Sequence, residues 1–164
     1  MRALALVAAV VASPALAEAP YDQFMGGIPA CLEEDKQECI GDAAAACFEG
    51  APDGQTTVGM MFCMLAERDA WDALLNAEYG LARAEAQNFD NADRANAPQF
   101  AVRADQLRDA QRAWIAFRDA ECTMRYGMWG SGSMRQLAGA NCHMSLTAER
   151  TFALRRVRSE LLGE

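Results

Sequence analysis

Six cysteines limit the folds open to this chain of 164 residues. No two of them have the CxxC spacing of a zinc site or of a thioredoxin-like redox motif. In an exported chain they therefore indicate three disulfides, although the sequence alone leaves the pairing open. The pairing that we favour joins neighbours along the chain: Cys31 with Cys39, Cys47 with Cys63, and Cys122 with Cys142.

Two of these pairs require the chain to reverse direction. On one continuous helix Cys31 and Cys39 would lie about 12 Å apart, so their pairing needs a turn within the charged run at residues 33–38. Cys122 and Cys142 flank a glycine-rich segment, residues 126–133, which can bring them together. Closing that loop stabilises a fold by roughly 3 kcal/mol in the chain-entropy model.

The first 17 residues have the pattern of a secretory signal peptide. Arg2 precedes an apolar run over residues 4–12, and Ala15-Leu16-Ala17 is a small-residue cleavage site. The apolar run is too short to span a bilayer, and no cysteine follows the cleavage site to carry a lipid anchor. We therefore predict a signal peptide at 1–17 and one domain at 18–164, exported to a bacterial periplasm without a membrane anchor.

The charge balance is acidic. The chain has 15 Lys and Arg against 23 Asp and Glu, a net charge of −8 that becomes one unit more negative if Arg2 is removed. This balance argues against nucleic acid and anionic membrane surfaces as partners. It fits a cationic partner, or simply keeps the chain in solution.

Hydrophobic periodicity predicts an all-α fold: a disulfide-stabilised helical bundle with three long helices and a short helical, cysteine-rich N-terminal part. Residues 18–30 hold two prolines and two glycines and predict a loose start. Short helices are expected around Cys31 and over residues 39–49, and Gly50 and Pro52 end the second of them.

The three long helices follow. A turn at residues 53–55 precedes Thr56 or Thr57, either of which can cap a helix that we predict to end near Gln87. A loop over residues 88–98 leads to the second, which runs from Pro98 to about Arg125. The third is predicted over residues 134–162, with a serine of the glycine-rich segment as its cap.

The second long helix carries polar side chains on the face that should turn inward. One stripe holds Leu107, Gln111, Trp114, Arg118 and Cys122. A buried amide or guanidinium is costly without a partner, so other helices must supply acceptors. Glu67 shares a face with Trp71, and we predict that it pairs with Arg118. The residues that we assign to the structural core are Glu67, Trp71, Asn76, Tyr79, Gln111, Trp114, Arg118, Asp119 and Arg150.

The sequence does not predict an enzyme, a cofactor or a metal site. It has one histidine, His143, and no GxSxG elbow for a nucleophile. A soft metal such as Cu(I) is a remote alternative, because several sulfur and imidazole groups could converge: Met60, Met61, Cys63, Met64, Met124, Met128, Cys142, His143 and Met144. Oxidation of Cys63 and Cys142 would remove the strongest of these ligands.

The glycine-rich segment contains the best candidate for recognition. Trp129 lies between glycines and serines, outside any helical phase, so it either plugs the loop from below or anchors a partner. The contact residues that we predict are Tyr126, Trp129, Ser131 and Ser133, with Asp53 in the turn before the first long helix as a further candidate.

The motifs resemble those of the LprI lysozyme inhibitor family of small exported bacterial domains. The matching residues are Cys63, Glu67, Asp72, Asn76, Tyr79, Gln111 to Cys122, Gly132-Ser133, Cys142, Thr147 to Arg150 and Leu154, with one extra residue between Asp72 and Asn76. The resemblance covers about residues 47–160, and the segment from Gln111 to Cys122 is its most specific part. The cysteines at 31 and 39 precede it.

The resemblance implies a helical, disulfide-bonded exported domain that inhibits lysozyme. We therefore interpret the chain as a periplasmic binding protein that inhibits lysozyme or another peptidoglycan-cleaving enzyme by occluding its cleft. A cationic lysozyme-type enzyme would suit the acidic charge as a partner. A structural or stress-related envelope protein is the alternative, and a copper-binding protein is a more remote one.

Overall fold

The computed structural model describes residues 20–163, and the predicted signal peptide lies outside them. Within that range the fold is all-α, as predicted, with three long helices after a short helical N-terminal part. The α-helices are α1 (Ile28–Glu33), α2 (Asp42–Gly50), α3 (Thr57–Asp93), α4 (Arg103–Gly127) and α5 (Met134–Leu162). Short 3-10 helices cover Asp22–Gly27, Gln37–Cys39 and Pro98–Phe100.

The helices α3 and α5 run parallel in one fixed register. The Thr151 hydroxyl donates to the carbonyl oxygen of Trp71 (3.2 Å), and Arg158 Nε donates to Glu78 Oε2 (2.8 Å). Both pairs are 80 residues apart in sequence, so the two helices keep the same alignment over these two turns of contact. The helix α4 returns antiparallel to α5.

The hydrophobic core lies between α3, α5 and the N-terminal arm, which we define as residues 20–50. Trp71 and Phe152 are fully buried, with ring centroids 5.4 Å apart. Arm residues pack on the same cluster: Met25, Ile28 and Leu32. The arm therefore completes the core instead of lying over it.

The three disulfides pair the cysteines in the way that we favoured from the sequence. Cys31–Cys39 closes the turn inside the arm, Cys47–Cys63 joins α2 to α3, and Cys122–Cys142 joins the end of α4 to α5. The chain turns at residues 33–38, as the first of these pairs requires. The arm is thus attached covalently to α3, and the end of α4 is attached covalently to α5.

The arm is held to α3 by a buried carboxylate. Glu67 has no exposed surface, and its two oxygens accept hydrogen bonds from the backbone N–H groups of Gly41 and Ala44, each at 2.7 Å. These N–H groups lie at the N-terminus of α2, where the helix dipole favours negative charge. The indole N–H of Trp71 donates to the same carboxylate at 3.0 Å.

The predicted pair between Glu67 and Arg118 is therefore wrong. Arg118 donates to the carboxylate of Asp119, the next residue on α4, and its guanidinium lies 5.0 Å from the centre of the Trp114 ring. Helical phase correctly predicted that Glu67 is buried. Glu67 contacts α2 through backbone N–H groups of that helix, and a pattern of side chains does not predict such donors.

Two local features define the ends of α3. Thr56 caps its start by accepting from the N–H of Gly59, and a Cβ at position 59 would overlap the carbonyl oxygen of Asp53. The helix ends at Asp93, beyond the predicted end near Gln87, so residues 88–93 are helical where a loop was expected.

The extra turns of α3 carry Asp90 to the start of α4. Its carboxylate accepts from the backbone N–H groups of Arg103 (3.0 Å) and Ala104 (2.9 Å), and from the Arg103 guanidinium. Burial raises the pKa of Asp90, but the hydrogen bonds from Ala104 and Arg103 outweigh it, so the pKa lies below the usual aspartate value. Asp90 thus caps α4 from a neighbouring helix.

We expect Glu67→Gln to destabilise the protein by about 3 kcal/mol, because an amide presents N–H donors to N–H donors in a site closed to water. Urea unfolding followed by circular dichroism measures the change. The matched control is Glu49→Gln, at an exposed position on α2, which should change the free energy of unfolding by less than about 0.5 kcal/mol. Equal stability of the two variants would contradict this role of Glu67.

We expect Asp90→Asn to lower the Tm at pH 7, and the difference from wild type to shrink progressively as the pH falls below about 4. The folded-state pKa of Asp90 is depressed, so its stabilisation is present above the unfolded-state pKa and is lost as the pH falls through the folded-state value. Thermal unfolding between pH 2 and pH 7 tests this. Asp105→Asn, in an exposed ion pair with Arg108, is the control and should shift the Tm little.

Candidate functional site

The loop between α4 and α5 presents its large side chains to solvent. Trp129 is 51% exposed and Met128 is 71% exposed, so of the two interpretations of Trp129 the structure contradicts the buried plug. Successive turns shape the loop: the N–H of Gly132 donates to the carbonyl oxygen of Trp129 (2.9 Å), and Gly130 has a φ of +53°. A residue with a Cβ is strained at that φ, which favours glycine at position 130.

The base of the loop is rigidly attached. The Cys122–Cys142 disulfide joins the two helices with their Cα atoms 5.4 Å apart. One turn nearer the loop, the ring of Tyr126 lies against α5 where Gly139 has no side chain, so that a Cβ there would approach the ring to 3.3 Å. The Arg135 guanidinium covers the same ring at 5.4 Å from its centre.

The two predicted serines lie on this loop and are exposed. Ser133 immediately precedes α5, but its side chain makes no capping hydrogen bond, so the predicted serine cap is wrong. The first turn of α5 is closed by backbone bonds instead, from Arg135 to Gly132 and from Gln136 to Ser133. The hydroxyl of Ser133 therefore has no part in capping the helix.

A cleft of about 600 Å³ lies beside Trp129. Met128 and Trp129 form one side, α5 contributes Asn141 and Ser145, and the ion-paired Glu121 and Arg125 stand on α4. Its volume falls within the range of ligand-binding clefts, and its mixture of apolar wall and few polar groups is typical of them.

An apolar face on α4 leads up to this cleft, and the sequence reasoning missed it. Phe117 and Met124 are seven residues apart on one side of the helix, and Met128 follows Met124 by four residues, just beyond the end of α4. All three side chains are strongly exposed. Contiguous exposed apolar surface of this kind marks interaction sites. The spacing is present in the sequence, but the prediction used only the stripe that holds Trp114 and Arg118, which lies about 100° away around the helix.

The motif residues of α4 tie it to α5. Gln111 is buried and accepts from Arg150 Nε at 2.9 Å, and the guanidiniums of Arg118 and Arg150 lie 5.0 and 5.8 Å from the centre of the Trp114 ring. Burial lowers the pKa of Arg150. These contacts connect the two helices through polar groups and one indole ring.

Several predicted core residues are less buried than expected. Asn76 and Asp119 are exposed, so their assignment to the core is wrong. The Asn76 amide donates to the Asp72 carboxylate one turn earlier, and the exposed Asp119 carboxylate forms an ion pair with Arg118. Glu67, Trp71 and Gln111 are buried. The remaining members are partly buried: Tyr79, Trp114, Arg118 and Arg150.

Asp53, the further contact candidate, lies in the turn before α3 and contacts the arm. Its carboxylate accepts from the Tyr21 hydroxyl at 2.8 Å, and this hydrogen bond is the main cause that raises the pKa of Tyr21. The Tyr21 ring stacks on Phe62. Asp53 therefore helps to fasten the start of the arm to the start of α3.

The cysteines of the copper alternative are not available as thiolates. Cys63 and Cys142 are both in disulfides, which leaves methionines and His143. Across residues 20–163 no group of three or more His, Cys, Asp and Glu side chains is arranged to hold a metal ion. Over the same stretch, none of the helices combines the length and the apolar character needed to cross a bilayer.

Comparison with known proteins gives the chain a family. A family model described as lysozyme inhibitor LprI matches residues 47–154, well over half of the chain. An uncharacterised protein of Rhizobium meliloti (strain 1021) is 32% identical over 116 residues, which are 69% of this chain and 84% of the relative. No solved structure matches the chain. The matched region contains α3, α4, the loop after α4 and most of α5, and the chain belongs to the LprI lysozyme inhibitor family.

Proposed function

We propose that this chain is a periplasmic inhibitor of lysozyme or of another peptidoglycan-cleaving enzyme, and that it binds through the surface around Trp129. The binding surface that we define comprises Phe117, Met124, Tyr126, Met128, Trp129, Ser131 and Ser133. The observation that carries the proposal is the exposure of Trp129 and Met128 on a loop whose base is closed by a disulfide. Family membership supports inhibition as the activity.

The rigid base of the loop favours tight binding. A loop that is already ordered loses little conformational entropy when a partner covers it. Trp is among the residues that most often dominate the energy of an interface, particularly when it enters a pocket on the partner. A tryptophan that projects from a narrow reversal can enter the substrate cleft of a glycan-cleaving enzyme and block it.

Charge supports a cationic partner. The chain has a net charge of −8. Electrostatic attraction between an acidic protein and a basic enzyme raises their association rate above that of uncharged partners. Three disulfides also fit an oxidising compartment such as the periplasm, where such enzymes act on the cell wall.

We expect Trp129→Ala to weaken inhibition by about 30-fold, the loss that a central aromatic contact of about 2 kcal/mol gives. The measurement is the clearing of a peptidoglycan suspension by a cationic lysozyme with increasing amounts of purified protein. Leu81→Ala is the control, since Leu81 is also 51% exposed but lies on α3, outside the binding surface. Failure of the wild-type protein to slow several types of lysozyme at micromolar excess would overturn the proposed function.

We expect the association rate with a cationic lysozyme to fall steeply between 50 mM and 500 mM NaCl, while the dissociation rate changes little. Salt screens the long-range attraction that speeds encounter, whereas apolar contacts around Trp129 hold the complex. Surface plasmon resonance with the enzyme immobilised separates the two rates. An association rate that does not depend on salt would contradict the inference that the negative charge of the chain favours a cationic partner.

A further inference from the structure

The exposed methionines within residues 20–163 are confined to the loop between α4 and α5 and to its two ends. Met124, Met128 and Met134 are 48%, 71% and 44% exposed. Met25 and Met144 are buried in the core, at 7% and 3%. The methionines of α3, at positions 60, 61 and 64, are partly buried. Accessible thioether sulfur is therefore concentrated at this loop.

Two of the exposed methionines belong to the binding surface. Met128 forms one side of the cleft beside Trp129, and Met124 lies one turn earlier on α4. Met134 begins α5 on the other side of the loop and is not among the residues that line the cleft. A change in the chemistry of Met124 or Met128 thus changes the surface that a partner would cover.

The core does not depend on these two side chains. The buried residues of α4 are Ala104, Gln111 and Cys122. Met124 and Met128 are exposed to water instead. A change in polarity at either sulfur therefore leaves the packing between the helices as it is.

A peroxide converts an accessible thioether into a sulfoxide. A sulfur lone pair attacks one oxygen of hydrogen peroxide and the O–O bond breaks. The sulfur keeps that oxygen, a proton passes to the other oxygen, and that oxygen leaves as water. Sulfur loses two electrons and the peroxide gains them. All six cysteines are in disulfides, so no thiolate of the chain competes for the oxidant.

Oxidation reverses the property that makes methionine useful at a binding surface. The reduced side chain is apolar and flexible, so it adapts to the shape of a partner. The sulfoxide is polar, and its oxygen accepts hydrogen bonds from water that a partner must replace or lose. Oxidation of Met124 and Met128 therefore opposes binding.

We propose that Met124 and Met128 form an oxidation site, at which a peroxide switches the surface beside Trp129 from apolar to polar and so releases the partner. The effect on inhibition rests on the proposed function, whereas the order in which the methionines oxidise does not. Reduction of the sulfoxides, which dedicated reductases catalyse, reverses the change.

The first test measures the order of oxidation and needs no partner. The folded protein is treated with hydrogen peroxide, and peptide mass spectrometry follows sulfoxide formation at each methionine. We expect Met128 to oxidise at least about tenfold faster than the buried Met144, because access governs the rate. The two rates should become equal in denaturant with the disulfides intact. Equal rates in the folded protein would overturn the proposal.

The second test asks whether oxidation at these two positions affects inhibition. After peroxide treatment and removal of the oxidant, about tenfold more wild-type protein should be needed to slow lysozyme, which corresponds to about 1.4 kcal/mol. Methionine sulfoxide reductases should restore the original value. Met134→Leu is the matched control: it keeps Met124 and Met128, so peroxide should weaken it as it weakens the wild type.

A double variant locates the switch. In Met124→Leu with Met128→Leu both side chains stay apolar but have no sulfur, so peroxide should change inhibition less than about twofold from the untreated level of the variant itself. A loss on oxidation as large as that of the wild type would contradict the assignment to these two residues.

A readout without lysozyme separates the switch from the proposed function. Hydrophobic-interaction chromatography reports exposed apolar surface, and the oxidised wild type should elute earlier than the untreated protein, while the double variant should shift little. Unchanged elution of the oxidised wild type would refute the switch. Failure of the untreated protein to inhibit any lysozyme would instead refute the proposed function.

Discussion

The buried carboxylate of Glu67 is the interaction on which the arrangement of the other elements depends. A carboxylate closed to water is costly, and here two backbone N–H groups of the α2 N-terminus and the indole N–H of Trp71 offset that cost without any cationic side chain. The same contact aims the Trp71 ring at Phe152. The Cys47–Cys63 disulfide lies one turn away on α3, so a covalent bond and a set of hydrogen bonds hold the arm at adjacent points.

Local signals in the sequence were enough to predict the bundle. Periodicity predicted the three long helices, and the glycines and serines before residue 134 predicted the start of α5. Cysteine spacing on either side of predicted turns favoured the observed disulfides, since each loop that they close is short. The sequence could not predict which helix packs against each inward face. Glu67 was predicted to be buried, but its donors are backbone groups of another helix, and these have no signature in side chains.

The end of α3 shows why composition misled. Residues 88–93 are rich in Asn, Asp and Ala and lack an apolar period, which is typical of a loop. They remain helical because Asp90 finds the free N–H groups at the start of α4, a tertiary contact that outweighs weak local propensity. Asn76 and Asp119 were misassigned for the opposite reason. Both belong to a recognisable motif, yet their side chains are exposed and each contacts a residue of its own helix.

The contacts that attach α4 to the rest of the fold leave its outer face exposed. Only Ala104, Gln111 and Cys122 of this helix are buried, and each marks a separate tie: the cap by Asp90, the hydrogen bond with Arg150, and the disulfide to α5. A helix held by polar and covalent contacts at three levels does not need a continuous apolar stripe for folding. Phe117 and Met124 of this helix, and Met128 just beyond its end, are exposed to water. Exposed apolar surface of this kind is typical of interaction sites, which supports the proposal that a partner covers it together with Trp129.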